Sequence, residues 1–317
     1  MKGLTDVPGI LVGHVTDLDA MTGCTVVLCG NAAVGGVDVR GSATGSIELD
    51  ALHPSHVAEN VHAIVLAGGS AFGLEASCGV RRILERRGVG FNTGVTHVPI
   101  VPGAILYDLG VGKPGVRPTR EMGEKAVEAA TDAAVEEGNV GAGTGASVGK
   151  LFGMGQAMKS GIGSASLTLG SGVMVAALVA VNALGDVIDP AVNKIIAGAR
   201  MSATSREFVD SAAVMRHGGV PNAGFRGNTT LAVVATNARL DRVHTNKLAA
   251  LASIGATRTI SPVNTMSDGD ITFALSLGNE QASVDSVGAA ASEALAMAVL
   301  RAVRAAKSAG GLPGLAS

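Results

Sequence analysis

The stretch Gly227-Asn228-Thr229-Thr230-Leu231-Ala232-Val233-Val234-Ala235 joins a short polar segment to a continuous apolar run. A glycine and an amide residue before such a run are typical of a turn, and the run itself predicts a strand that other elements cover on both faces. Two hydroxyl residues therefore stand where a buried strand begins. The rest of the chain decides which sheet this strand joins and what its first residues do.

Three interpretations fit Asn228-Thr229-Thr230. The tripeptide could be an ordinary turn before the strand, and it also matches the Asn-x-Ser/Thr pattern of a glycosylation acceptor. In the third interpretation the chain cuts its own backbone between Asn228 and Thr229. The cut would give Thr229 a free α-amine, whose ordinary pKa of about 7.7 to 8.0 lets it act as a base for its own hydroxyl.

Other apolar runs predict further strands, and helical patterns alternate with them. The predicted strands cover residues 24–29, 62–67, 172–181, 231–236 and 271–277. The predicted helices cover residues 72–87, 121–137 and 286–307. Because strands and helices alternate, we predict one α/β domain in which sheets lie between helix layers. A split into two domains near residue 120 is the alternative.

Composition indicates a well-packed globular fold. Hydrophobic residues make up 47% of the 317 residues, while aromatic residues make up only 2%. The core must therefore be built from Ala, Val, Leu and Ile, and the 45 glycines allow backbones to approach each other closely. This amount of apolar material excludes a disordered chain.

Net charge, cysteine spacing and the apolar runs indicate which partners and which location to expect. The formal net charge of −2 gives no electrostatic signature of nucleic-acid binding. Cys24, Cys29 and Cys78 have no metal-like spacing, and we interpret them as buried, reduced thiols. The first residues form no apolar signal segment, and the apolar run 172–181 is too short to span a bilayer. We therefore expect a cytoplasmic protein without membrane contact, which weighs against a glycan on Asn228.

Asp268-Gly269-Asp270 is a second polar cluster, just before a predicted strand. Side chains at positions i and i+2 of an extended segment point to the same side, so the two carboxylates would face together. Asp-Gly is also a strong turn signal, and a turn is the alternative interpretation. Beside an N-terminal threonine, these carboxylates could hold its ammonium group and shift the pKa of its amine.

The segment Gly141-Ala142-Gly143-Thr144-Gly145-Ala146-Ser147-Val148-Gly149-Lys150 is glycine-rich and ends on a cation. It fails the phosphate-loop pattern because Leu151 follows Lys150. A looser dinucleotide pattern is met, but no strong strand precedes it and no helical pattern follows. We therefore interpret the segment as a wall on which a substrate approaches the backbone, with Lys150 supplying positive charge.

Asn182 has two interpretations. It could cap a hairpin, or its side-chain amide could donate a hydrogen bond to a developing oxyanion. Tyr107, the single tyrosine, could fill the core with its hydroxyl hydrogen-bonded. His53 and His56 lie three positions apart without a further ligand pattern, so we predict no metal site and no cofactor.

Together these motifs resemble the self-processing L-aminopeptidase/D-amidase-esterase (DmpA-like) family, which includes β-aminopeptidases and the nylon-oligomer hydrolase. The resemblance runs nearly end to end, and the nylon-oligomer hydrolase has the nearest pattern. The motifs that carry it are, in chain order, Val37-Asp38-Val39-Arg40-Gly41, Ala67-Gly68-Gly69-Ser70-Ala71-Phe72-Gly73-Leu74-Glu75-Ala76, Gly141-Ala142-Gly143-Thr144-Gly145, Gly227-Asn228-Thr229-Thr230 and Asp268-Gly269-Asp270.

The resemblance implies an αββα sandwich of the DmpA/ornithine-acetyltransferase type, formed by a single domain over residues 1–317. It implies self-cleavage between Asn228 and Thr229 into an α chain, 1–228, and a β chain, 229–317, with Thr229 as the nucleophile. The remaining catalytic positions it implies are Asp268, Asp270, Lys150 and Asn182, and the substrate-binding positions are Tyr107, Gly143 and Thr144. The implied substrate is a small amide or short peptide, and the implied assembly is a homo-oligomer, with a tetramer favoured.

One segment departs from the β-aminopeptidase pattern. Where those enzymes hold the substrate's amine with a glutamate-containing segment, this chain has Val98-Pro99-Ile100-Val101-Pro102-Gly103, without an acid. The departure favours an amidase or an endo-acting enzyme over a strict aminopeptidase. The alternatives are acyl transfer of the ornithine-acetyltransferase type, and a ligand-binding protein in which Asn228-Thr229 is an uncut turn.

Overall fold

The computed structural model describes residues 1–170, 172–219 and 227–317. The α-helices are α1 (Glu75–Arg86), α2 (Arg120–Glu128), α3 (Ser211–Arg216), α4 (Arg242–Ala252), α5 (Ile254–Thr259) and α6 (Val284–Arg304). The strands are β1 (Ile10–Asp17), β2 (Thr22–Val39), β3 (Gly45–Ile47), β4 (Asn60–Ala67), β5 (Phe91–Asn92), β6 (His97–Val98), β7 (Gly103–Ile105), β8 (Ser147–Val148), β9 (Met158–Lys159), β10 (Ile162–Thr168), β11 (Met174–Asn182), β12 (Asp186–Asp189), β13 (Lys194–Ala197), β14 (Thr229–Ala238), β15 (Ile260–Ser261) and β16 (Ile271–Glu280).

Most strands belong to one large sheet that doubles over along β2. The strand order is β10-β11-β14-β16-β2-β4-β7-β3, and β1 pairs with β2 outside this path. Residues 24–28 of β2, and Ala33 and Val34 beyond them, pair with β4, whereas residues 34–39 pair with β16. The β2–β4 register shifts between Leu28 and Ala33, and such an irregularity lets a strand bend. The first part of β2 therefore belongs to the half of the sheet that contains β4, β7 and β3, and the second part to the half that contains β16, β14, β11 and β10.

Helices cover the outer faces of the doubled sheet, and its inner faces pack on each other. In β14, Leu231 lies in the core between the sheet halves, whereas Ala232 lies in the core under α4, α5 and α6. In β4, Ile64 faces the inner core, whereas Val65 packs under α1 and α2. Because both faces of each strand are buried, these strands read as continuous apolar runs. The predicted αββα sandwich is confirmed.

All five predicted strands are present, as parts of β2, β4, β11, β14 and β16, but one predicted helix is too long. The pattern over residues 121–137 predicts a single helix, yet α2 ends at Glu128. Beyond it, Thr131 and Val12 exchange backbone hydrogen bonds at 2.9 and 3.1 Å, so the chain pairs with the edge of the sheet. Here tertiary pairing outweighs the helix propensity of an Ala- and Glu-rich segment. The other two predicted helices form as α1 and α6 with shifted ends.

The thiols and imidazoles that the structure describes do not gather into a metal site. Within the three described ranges, no group of three or more His, Cys, Asp or Glu side chains is placed to hold a metal ion. Burial raises the pKa of the Cys24 and Cys29 thiols to about 12. Cys78 is exposed, so its interpretation as a buried thiol is wrong. It lies on the outer face of α1, whose inner face carries Ala76 and Val80.

The long helix α6 lies across the doubled sheet. By length and apolar composition it could cross a membrane, and 67% of its most apolar 18-residue window is buried inside the protein. It packs against β10, β11 and α4. This burial explains the apolar composition of α6 as that of a core helix.

Candidate active site

Three of the predicted motifs meet at the start of β14. β14 and β16 are parallel neighbours, so the segments that precede them also lie side by side, and Asn228 forms a parallel bridge with Asp268. On the other side, β11 runs antiparallel to β14 and places Asn182, its last residue, opposite Thr229. Side chains opposite each other in an antiparallel pair lie on the same face of the sheet. The order of the strands thus assembles residues that are far apart in the chain.

The peptide bond between Asn228 and Thr229 is buried, and its carbonyl oxygen accepts two hydrogen bonds. The Thr229 hydroxyl donates to the Asn228 carbonyl oxygen at 2.5 Å. The Gly269 N–H donates to the same oxygen at 2.8 Å. The hydroxyl of Thr229 thus contacts the carbonyl group that precedes it, and the amide donor polarises the C=O bond.

Asp268 and Asp270 are buried and bind backbone groups around this peptide bond. Asp270 accepts from the Thr230 N–H at 2.6 Å and from the Asn264 N–H at 3.0 Å. Asp268 accepts from the N–H and the hydroxyl of Thr265, at 2.9 and 2.6 Å. Burial, and then the charge of Asp268, raise the pKa of the Asp270 carboxyl. Asp270 thus fixes the start of β14, and both carboxyl groups fix the loop before β16.

Lys150 and Asn182 form a buried polar pair on the other side of Thr229. Lys150 Nζ donates to the Asn182 carbonyl oxygen at 2.9 Å and to Asn182 Oδ1 at 2.7 Å. The Asn182 side-chain amide donates to the Tyr107 carbonyl oxygen at 2.9 Å. Burial lowers the pKa of the Lys150 ammonium to about 7, although the charges of three aspartates oppose this shift. Burial thus moves the pKa of this lysine from its ordinary value of 10.5 toward neutrality.

A cavity of about 180 Å³ adjoins this pair. Its described lining residues are Tyr107, Gly110, Val111, Ser147, Lys150, Gly153, Met154 and Gly227. The single charged group among them is Lys150, and none of them is acidic. A cation in the wall repels a protonated amine, so this lining suits an uncharged chain better than a free ammonium group.

Gly143 and Thr144, predicted to bind substrate, are not among the described residues that line this cavity. Both are fully packed inside the protein, and the Thr144 hydroxyl donates to the Gly141 carbonyl oxygen at 2.6 Å. A Cβ atom on Gly143 would lie 2.4 Å from the backbone nitrogen of Ile162. Small residues are therefore needed at this point because two backbones touch. From the same glycine-rich segment, Ser147 and Lys150 line the cavity.

A second buried lysine, Lys159, was not singled out by the sequence. Its Nζ donates to three backbone carbonyl oxygens, those of Gly143, Ala146 and Ser160, at 3.2, 2.8 and 2.5 Å. It thereby holds the glycine-rich segment that carries Lys150. Lysine is rarely fully buried, so no local pattern marks this position. Burial lowers the pKa of the Lys159 ammonium to about 7, against the opposing charge of Asp108.

We expect Lys159→Met to lower the free energy of unfolding by about 1–3 kcal/mol at neutral pH, because buried carbonyl groups lose their donor. The loss of unfolding free energy that Lys159→Met causes should also grow as the pH rises. The folded-state pKa of Lys159, about 7, lies below the ordinary value of 10.5, so the unfolded chain binds more protons between those values. Wild-type stability therefore rises with pH in this window through this group, and the variant lacks that rise.

Urea unfolding at pH 7 and pH 9 measures this difference, with the exposed Lys194→Met as the matched control. A Lys159→Met protein whose stability tracks that of the wild type at both pH values would contradict the prediction.

Comparisons with known proteins match almost the whole chain. The model of peptidase family S58 matches residues 2–316. An uncharacterized aminopeptidase of Mycobacterium leprae is 41% identical over 350 residues, with 99% of this chain and 93% of that protein covered. A 6-aminohexanoate-oligomer endohydrolase of Kocuria sp. is 31% identical over 315 residues, with 94% of this chain and 85% of that protein covered.

The fold has solved counterparts. The L-aminopeptidase D-Ala-esterase/amidase of Ochrobactrum anthropi, described as a variant of the Ntn hydrolase fold, superposes with a TM-score of 0.72 at 21% identity, with 98% of this chain and 88% of that chain covered. This likeness supports the fold, and the family match supports the resemblance found in the sequence motifs. The chain belongs to peptidase family S58 and is a hydrolase of peptide or amide bonds.

Proposed function

We propose that this hydrolase cuts its own chain between Asn228 and Thr229 and then uses Thr229 as its nucleophile. The observation that supports this most directly is the contact between the Thr229 hydroxyl and the Asn228 carbonyl oxygen, at 2.5 Å. The same oxygen accepts a hydrogen bond from a backbone N–H. The nucleophile, the bond to be broken and a polarising donor thus lie together in a buried site.

Self-cleavage proceeds in two steps, an acyl shift from nitrogen to oxygen and the hydrolysis of the resulting ester. The Thr229 hydroxyl oxygen bonds to the Asn228 carbonyl carbon, the bond from this carbon to the Thr229 nitrogen breaks, and the nitrogen receives the hydroxyl proton. Water then hydrolyses the resulting ester, which releases the Asn228 carboxylate and restores the hydroxyl. Thr229 is left with a free α-amine, which serves as the base when the hydroxyl attacks a substrate amide.

Before the cut, another group must take the hydroxyl proton, since Thr229 has no free amine. We assign this role to Lys150, because burial lowers its pKa to about 7 and its neutral form can accept a proton. In the described residues the carboxylates bind backbone N–H groups rather than the Thr229 hydroxyl, so they act on it through charge and through the position of β14. After the cut, the same carboxylates stabilise the new ammonium group.

The cavity indicates the class of substrate. A short peptide or a small amide with an uncharged acyl chain fits this wall, because Lys150 is the single charged group among its described residues. These described residues include no acid to bind a substrate's free amine, which agrees with the acid-free segment 98–103. The names of the relatives, an aminopeptidase and an oligomer endohydrolase, supply the first substrates to test.

Two further properties stay proposals, of which the assembly rests on the family resemblance and the location on the sequence alone. Processed chains assemble into a homo-oligomer, with four copies favoured, and the protein acts in the cytoplasm. Native mass spectrometry of the purified protein measures the number of copies directly.

Intact mass spectrometry under denaturing conditions tests self-cleavage. We expect two masses that sum to the full chain plus one water, the smaller being residues 229–317 with threonine at its start. A single mass of 31.3 kDa that persists on long incubation would overturn the proposed function, because Thr229 would then lack a free amine.

A further inference from the structure

The geometry points to the backbone N–H of Gly269 as the group that holds the oxyanion during self-cleavage. This inference rests on the proposed function and adds a catalytic residue to it. When the Thr229 hydroxyl attacks, the Asn228 carbonyl oxygen becomes negatively charged. The Gly269 N–H already donates to this oxygen at 2.8 Å in the uncut chain, so the donor is in place before the negative charge develops.

The donor is held from several sides, so it needs no rearrangement at the moment of reaction. The peptide group of Gly269 follows Asp268, whose carbonyl oxygen accepts the Ala43 N–H at 2.9 Å. On its far side, the Asp270 carbonyl oxygen accepts the N–H groups of Arg40 and Gly41, at 3.0 and 3.1 Å. A donor fixed in this way stabilises developing charge more than a flexible one.

The side chain expected to supply the oxyanion donor is directed elsewhere in the uncut chain. The Asn182 side-chain amide donates to the Tyr107 carbonyl oxygen at 2.9 Å, and its Oδ1 accepts from Lys150 and from the Ser147 N–H. Its bonded partners do not include the Asn228 carbonyl oxygen. Self-cleavage therefore uses a backbone donor from the loop before β16, while a role for Asn182 in substrate hydrolysis stays a prediction.

Glycine is required at position 269 because the nucleophile lies against it. A Cβ atom there would lie 2.7 Å from Thr229 Oγ1 and 2.7 Å from the Ala43 carbonyl oxygen. The backbone of Gly269 is not in the left-handed region, so an alanine would act through this contact rather than through backbone strain. The residue thus supplies the donor and leaves room for the attacking oxygen.

Replacing the amide of Gly269 by an ester tests the donor itself. The protein is made by cell-free translation with a suppressor tRNA that inserts glycolic acid at position 269, so an ester oxygen replaces the N–H. The matched control uses the same tRNA charged with glycine. We expect self-cleavage of the ester protein to be slower by about two to three orders of magnitude, the usual effect of losing one oxyanion donor. Denaturing gels over time give both rates.

A second pair of variants covers the case in which the ester protein fails to fold. Gly269→Ala keeps the N–H but displaces the Thr229 hydroxyl, so it should also stay uncut for longer, while Gly115→Ala, whose new methyl group meets nothing within 4 Å, should cut normally. Self-cleavage of the ester protein at the control rate would overturn the role of the Gly269 N–H, and self-cleavage of a folded Gly269→Ala protein at the control rate would overturn the requirement for glycine at this position. If Thr229→Ala stays uncut in the same system, such a result removes only the role of Gly269; if Thr229→Ala is cut, the proposed function itself fails.

Discussion

Thr229→Ala is expected to remain a single chain and to hydrolyse no amide substrate. The substitution removes the hydroxyl that lies 2.5 Å from the Asn228 carbonyl oxygen, and no cut means no free α-amine. Both stages of the mechanism therefore lose their nucleophile, which is the largest effect any single change in the site should have. Thr229→Ser keeps a hydroxyl at the same place and should still cut itself.

Intact mass and an assay on short amides and peptides measure these outcomes. Thr236→Ala is the matched control, because it removes another buried threonine hydroxyl from β14, away from the site. This control should be fully cut and active. A Thr229→Ala protein that separates into residues 1–228 and 229–317 would exclude Thr229 as the nucleophile.

Lys150→Met is expected to slow both self-cleavage and substrate hydrolysis by about two to three orders of magnitude, the scale on which a catalytic electrostatic contact acts. The change removes the ammonium group that binds Asn182 through two oxygens and that faces the charges of Asp268 and Asp270. Removing one member of a buried charged network also leaves the others uncompensated, so a loss of stability should accompany the loss of rate. The exposed Lys194→Met should change neither rate.

The pH profile separates the charge of Lys150 from its proton exchange. The pKa of Lys150 is about 7, so its neutral form grows as the pH rises through 7, and a rate that depends on that form should rise with it. Arginine stays protonated throughout this range. If Lys150 acts by exchanging a proton, Lys150→Arg should react slowly and its rate should not rise near pH 7. If Lys150 acts through its charge alone, Lys150→Arg should recover the wild-type rate. Wild-type rates and pH profile in Lys150→Met would remove this residue from the mechanism.

Local patterns were enough to predict the layers of the fold. The run Leu231-Ala232-Val233-Val234-Ala235 predicts a strand buried on both faces, and β14 has an inner core on one side and a helix layer on the other. Such patterns work because burial on a strand follows the alternation of side chains along the backbone. The same reasoning failed for residues 121–137, where a pairing of Thr131 with Val12 ends the helix. Local propensity contains no information about such a distant partner.

By itself, the sequence determined the family, the sandwich of sheets and helices, and a threonine placed where a buried strand begins. Only the tertiary structure decided that the segment before β16 lies parallel to the segment before β14, which brings the Gly269 N–H to the Asn228 carbonyl oxygen. It also decided that Lys150 and Lys159 are buried, and burial is what lowers the pKa of each to about 7. The physical reason is that periodicity and turn chemistry act between near neighbours in the chain. Strand order and desolvation depend on residues far apart in the sequence, and they exist only once the sheet has formed.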